Sequence, residues 1–170
     1  MFEKKVIPHS ISTRAFETYT PTLPLLSSVE AGWEGVMVRT YNEPMESEGV
    51  TFPAVPDVSL VMVTQGAVAL ERRDVGGSWN AFHVGAGDWS LTPGGGLPYE
   101  FRWRPLSSEP IQSLYVHINT DLISRAASHL TKSHPHRVEL GARLVFQDLA
   151  TPSQRHRSSP DPDSQSGWFS

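Results

Sequence analysis

Cysteine is absent from this chain, which removes disulfides, zinc–thiolate sites and thiol catalysis from consideration. Basic charge is sparse as well. Fourteen Lys and Arg against 18 Asp and Glu leave a formal net charge of -4, and the arginines at 102, 104, 125, 137, 143, 155 and 157 are scattered, so no basic face is readable for nucleic acid. Long apolar runs are missing too. The N-terminus, Met1-Phe2-Glu3-Lys4-Lys5-Val6-Ile7-Pro8-His9, has no run long enough for a signal peptide, and nothing elsewhere could span a bilayer. The expectation is a cytoplasmic chain without membrane contact. No nucleophile motif and no Ser/His/Asp ordering stands out. Gly94-Gly95-Gly96 precedes a strand pattern and no helix, so it lacks a helix dipole for phosphate and is expected to be a flexible mouth loop.

What is present is punctuation. The 170 residues, enough for one domain or one domain with a tail, carry 14 prolines and 13 glycines that fall between short apolar runs, the pattern of an all-β protein with many turns. Residues 35–41 read as the first strand. Residues 42–49, with glutamates at 43, 46 and 48, read as a solvated acidic loop. Residues 58–65 are nearly all apolar or β-branched, fitting a strand buried on both faces or one closing the barrel. In residues 67–73, Val68 and Leu70 share one face and Glu71 and Arg73 the other. A hairpin loop at 74–78, a return strand at 79–84 and the turn Gly85-Ala86-Gly87-Asp88 lead into residues 89–92.

The clearest alternation follows. Tyr99, Phe101 and Trp103 fall on one face and Glu100, Arg102 and Arg104 on the other. In residues 111–118, Ser113, Tyr115 and His117 oppose Leu114, Val116 and Ile118. This makes six or seven strands, at the spacing of a sandwich or barrel. The period then changes: Asn119-Thr120-Asp121 offers N-cap oxygens, and Leu122, Ile123, Ala126, Ala127 and Leu130 form a helical stripe ending near Ser133. Residues 138–146 could pack as a strand or a helix. From residue 151 onward the composition is that of a disordered tail. The predicted division is an N-terminal arm at 1–32, a barrel at 33–120, a helical or irregular extension at 121–149 and a tail at 150–170.

Residues 35–118 resemble the cupin fold, a small double-stranded β-helix or jelly-roll barrel. Cupin enzymes carry histidines and a carboxylate on two hairpins, which would hold iron, manganese or nickel. Here the corresponding stretches read Val61-Met62-Val63-Thr64-Gln65-Gly66 and Pro93-Gly94-Gly95-Gly96-Leu97-Pro98-Tyr99, without those ligands. The expectation is therefore no metal and no cofactor. His134-Pro135-His136 has ligand spacing but no third ligand nearby.

Within cupins the wording is similar to the N-terminal sensory domain of AraC/XylS-type transcription regulators. The resemblance is carried by Pro56-Asp57-Val58-Ser59-Leu60-Val61 leading to Gln65-Gly66, by Glu71-Arg72-Arg73, and by Gly85-Ala86-Gly87-Asp88-Trp89-Ser90-Leu91-Thr92-Pro93-Gly94. It continues in Leu114-Tyr115-Val116-His117-Ile118 and the helix after it, and covers about residues 30–149. It implies a barrel that binds a small-molecule effector, with Tyr99, Trp103, Tyr115, His117 and His83 as candidate contacts. It also implies a homodimer, or pairing with a full-length regulator. The helix-turn-helix units of that family find no counterpart after Asp148, so the expectation is a regulator truncated before its DNA-binding half, without direct DNA contact. Two other readings stay open: a stand-alone metal-independent cupin enzyme with His83 or His117 as base, and an interaction protein with a filled barrel.

Overall fold

The structure, a computed structural model, describes residues 6–130 and 143–146. A 3-10 helix (Thr13–Thr18) is followed by strands β1 (Leu26–Ser27), β2 (Val36–Glu43), β3 (Ser47–Phe52), β4 (Val58–Gln65) and β5 (Ala67–Asp74). Strands β6 (Asn80–Gly85), β7 (Trp89–Thr92), β8 (Tyr99–Pro105) and β9 (Ile111–Ile118) come next, then helix α1 (Thr120–Leu130) and strand β10 (Arg143–Phe146). They build two antiparallel sheets, ordered β1-β2-β9-β4-β7-β10 and β3-β8-β5-β6, packed face to face around one interior. The all-β, cupin-like architecture expected from the sequence is the one observed.

Alternation decides what enters that interior. On β9, Ile111, Ser113, Tyr115 and His117 are buried while their neighbours are only partly so. On β8, Tyr99 and Trp103 are buried and the basic residues face out. Arg102 Nε lies 2.6 Å from Glu71 on β5, Arg104 lies 3.3 Å from Glu48 on β3, and Glu100 pairs with Arg73. The Arg73 and Arg102 guanidinium groups stack on Trp79 at 4.4 and 4.3 Å. Because these pairs are solvent-exposed or half-exposed, each adds little stability; their role is to keep the outer face of the four-stranded sheet polar.

One sequence expectation is corrected over residues 42–49. Residues 42–49 are no continuous loop: β2 runs on to Glu43 and β3 begins at Ser47, with only a short turn between them. Glu46 and Glu48 are exposed as expected, but Glu43 points inward, because the parity of Arg39 and Tyr41 continues two residues further than the acidic composition implied. The described part of the N-terminal arm, residues 6–32, joins the barrel. The 3-10 helix delivers Phe16, 1% exposed, into the core, and β1 pairs with β2.

The Pro93–Gly94 loop is seated rather than free. Gly95 N donates to Val55 O at 2.8 Å, and a Cβ on Gly94 would lie 1.9 Å from Pro56 O. Backbone cannot yield that distance, so Gly94→Ala is expected to cost about 1–3 kcal/mol as an overpacking change, read as a lowered urea midpoint with an unchanged m-value. Equal stability would mean that this loop stands away from Pro56.

Helix α1 starts at an Asn119 cap, whose side-chain oxygen accepts from Asp121 N at 2.9 Å. Leu122 rests near Gly35, while Ala126, expected in the stripe, is exposed. The ambiguous stretch 138–146 resolves over its last four residues as β10, antiparallel to β7. The helix end near Ser133, the histidines at 134 and 136, and the tail lie outside the described residues. Among the described residues no helix is long and apolar enough to cross a membrane.

Candidate functional site

The interior has two unlike ends. One is closed by the 3-10 helix. Phe16 stacks on Phe52 with centroids 5.3 Å apart and packs against His117 at 4.9 Å and Tyr115 at 5.7 Å. Arg39 on β2, fully buried, holds that helix in place. Its Nε meets Glu17 Oε2 at 3.0 Å, and Nη2 donates to the carbonyls of Thr13 at 3.2 Å and Arg14 at 3.1 Å. A desolvated guanidinium needs such partners, since a buried charge without them is costly. Here one carboxylate and two backbone oxygens supply them.

The other end is hollow. A cavity of about 90 Å³ lies between the two sheets, walled on one side by Val61 and Val63 of β4 and on the other by Val68 and Leu70 of β5 and Phe82 and Val84 of β6. Trp103 closes one side, with its indole nitrogen donating to Pro44 O at 2.9 Å. The turn Gly85-Ala86-Gly87-Asp88 forms the rim. Gly87 sits at φ +95, its N–H donates to Val63 O at 2.8 Å, and the Asp88 carboxylate accepts from Gly85 N at 2.9 Å. Only glycine takes that φ without strain, and the Asp88 side chain satisfies the turn's own backbone.

Polar groups in the cavity are few. Ser113 on β9 donates its hydroxyl to Glu43 Oε1 at 2.5 Å. Burial pushes the Glu43 carboxyl above its ordinary range, and the Ser113 hydrogen bond works against that rise. Among the described residues lining the cavity there is no Lys, Arg or His; its acidic members are Glu43 and Asp88.

The sequence-predicted contacts do not form one group. Trp103 and Tyr115 line the cavity. Tyr99 is buried beside it and opens onto a second hollow with Arg72, whose guanidinium lies 4.9 Å from the Tyr99 ring. His117 is 1% exposed behind Phe16, outside the cavity lining. Burial first, and the Arg39 charge second, push its imidazole down to about 3, so it stays neutral at any working pH. His83 is exposed on the outer face, in a groove with Glu71, Arg102 and Arg104. On β6 the inward parity belongs to Phe82 and Val84, which turns His83 to solvent. Glu43 was missed as a site residue; extending the parity of β2 past Tyr41 would have found it. Among the described residues no cluster of three or more His, Asp or Glu side chains could hold a metal ion.

Two antiparallel sheets enclosing an apolar hollow define a cupin-like barrel. No protein-family model matches the chain, and no curated protein matches it. Among solved structures, apo ToxT K231A from Vibrio cholerae strain SCE256 superposes with a TM-score of 0.52 at 16% identity, over 68% of this chain and 42% of that one. The Schizosaccharomyces pombe Cnp3 cupin domain aligns at 14% identity over 56% of this chain and 64% of its own, with a TM-score of 0.41. A putative mannose-6-phosphate isomerase from Ralstonia eutropha JMP134 aligns at 24% identity over 57% and 82%, with a TM-score of 0.38. The likeness to ToxT is one of fold, and this chain spans less than half the length of that structure.

Proposed function

We propose that this chain is the effector-binding domain of an AraC-type transcription regulator, holding a small, largely apolar molecule between its sheets. The observation that carries the reading is the cavity itself: a hollow walled by valine, leucine and aromatic side chains with a few convergent polar groups, which is the usual make-up of a small-ligand site. The order of motifs from Pro56 to Ile118 supports the AraC assignment, as does the fold shared with ToxT. ToxT has also been solved with an unsaturated fatty acid bound. Binding would act by population shift, favouring one arrangement of the domain over another. DNA recognition, and any dimer, would come from parts beyond the described residues.

A binding role without catalysis fits the placement of the histidines. A general base works best with a pKa near the operating pH and within reach of its substrate. His117 is neutral and sealed behind Phe16, and His83 lies on the far side of the sheet.

Filling the hollow tests the reading. In thermal-shift measurements with six- to eight-carbon alcohols, amines and acids, at least one class is expected to raise the melting temperature of the native chain. At a hundredfold excess over Kd the stabilisation is about 2.7 kcal/mol, several degrees for a domain of this size. Val63→Phe, which places a ring inside the cavity, is expected to abolish the shift. Ligands that stabilise Val63→Phe as well as the native chain would place the binding site elsewhere and sink the proposal.

A further inference from the structure

The charge of the cavity goes further and bears on which ligand it takes, given the binding role just proposed. Its lining carries two carboxyls, Asp88 in the turn and Glu43 among the hydrocarbon side chains, and no basic side chain among the described residues that line it. Glu43 is held on one side only: Ser113 occupies Oε1, while Oε2 has no hydrogen bond and no ion pair among the described residues. Other acidic and basic side chains nearby have partners or functions of their own. Arg39 is bound to Glu17, Arg102 to Glu71, Arg104 to Glu48, and Asp88 accepts from its own turn. Trp103 has spent its N–H on Pro44 O, so the indole offers the cavity only hydrocarbon.

An anionic ligand has nothing to meet in such a site. Its carboxylate would be desolvated beside Glu43, and like charges brought together in an apolar surrounding repel strongly. A neutral alcohol could give Glu43 one hydrogen bond. A protonated amine gives it a charge-assisted hydrogen bond and neutralises a carboxyl that burial otherwise leaves without a counter-charge. We infer that the cavity is selective for a small amphipathic amine, its ammonium group against Glu43 Oε2 and its carbon chain between Val61, Val63, Val68 and Val84.

Isothermal titration of the full chain with hexylamine, hexanol and hexanoate separates the claims, because the three differ only in their polar end. The expected order is hexylamine at least tenfold tighter than hexanol, with hexanoate weakest. Glu43→Gln keeps the size of the side chain and its bond to Ser113 while removing the charge. In that variant hexylamine is expected to fall to the level of hexanol, and a urea midpoint close to that of the native chain shows separately that the variant is folded. Hexanoate or hexanol binding as tightly as hexylamine would overturn the amine selectivity and leave the apolar binding role standing, as would a Glu43→Gln variant that still prefers hexylamine. Failure of all three to bind would remove the binding role and the selectivity together.

Discussion

Phe16→Ala is expected to lower the stability of the domain by about 3–5 kcal/mol, the usual cost of deleting a buried ring where the surroundings cannot close over the gap. Phe16 is 1% exposed and touches Phe52, Tyr115 and His117, which come from three positions on two strands of opposite sheets. Those strands are fixed by their own ladders, β3 against β8 and β9 between β2 and β4, so they cannot move in to fill the space. A loss of that size is a large share of the 5–15 kcal/mol by which domains are stable. Phe16→Leu, which keeps most of the volume, should lose far less. Urea unfolding of both variants gives the answer; a loss below about 1 kcal/mol for Phe16→Ala would mean that residues 13–18 are an appendage and not part of the core.

The second large effect depends on pH. The His117 imidazole titrates near 3 in the folded chain against an ordinary value of 6.5. Below 6.5 the unfolded chain takes up a proton that the folded chain refuses, so stability falls as the pH drops from 6.5 towards 3. The slope approaches about 1.4 kcal/mol per pH unit, and between pH 7 and pH 4.5 this one group removes about 2.5 kcal/mol. His117→Phe keeps a ring against Phe16 and cannot protonate. The difference in unfolding free energy between the two proteins should therefore shift by about that amount across this range, in favour of the variant at low pH. Taking the difference cancels other titrating groups, including Glu43, whose raised carboxyl acts in the opposite sense. Parallel acid limbs for the two proteins would show that His117 is solvated and that Phe16 does not seal it.

Both effects arise where the sequence is hardest to read. The faces of β8 and β9 were legible, because alternation fixes which residues travel together: Tyr99 with Trp103, and Ser113 with Tyr115 and His117. Which face points inward was not. On β9 the stripe Leu114, Val116 and Ile118 is the more hydrophobic, yet the buried face carries Ser113 and His117; Ser113 is satisfied there by Glu43, and His117 is packed as a ring against Phe16 of the 3-10 helix. Phe16 sits in Ser12-Thr13-Arg14-Ala15-Phe16-Glu17-Thr18, a stretch with no apolar period, and its anchor is the ion pair of Glu17 with Arg39, 22 residues away. Nothing local announces a contact of that kind.

Glu43 was hidden for a different reason. Three glutamates within six residues read as a solvated run, and for Glu46 and Glu48 that reading holds. The inward turn of Glu43 follows from its register opposite Ile111, next to Ser113, which only the pairing of β2 with β9 reveals. The cupin-like class, by contrast, was visible in the order of its turns. Gly66, Gly87 and Gly95 all adopt positive φ in the structure, and each stands in a turn read from the sequence.

The central claim, that the hollow between the sheets is a binding site, is tested most directly by methyl-resolved NMR of the chain titrated with hexylamine. The inward methyl groups of Val61, Val63, Val68, Leu70 and Val84 should shift together along one saturating curve, while those of Leu60, Val116 and Ile118 on the opposite face of the six-stranded sheet stay in place. Shifts that spread over the outer face, or inward methyls that do not move at saturating ligand, would contradict the account.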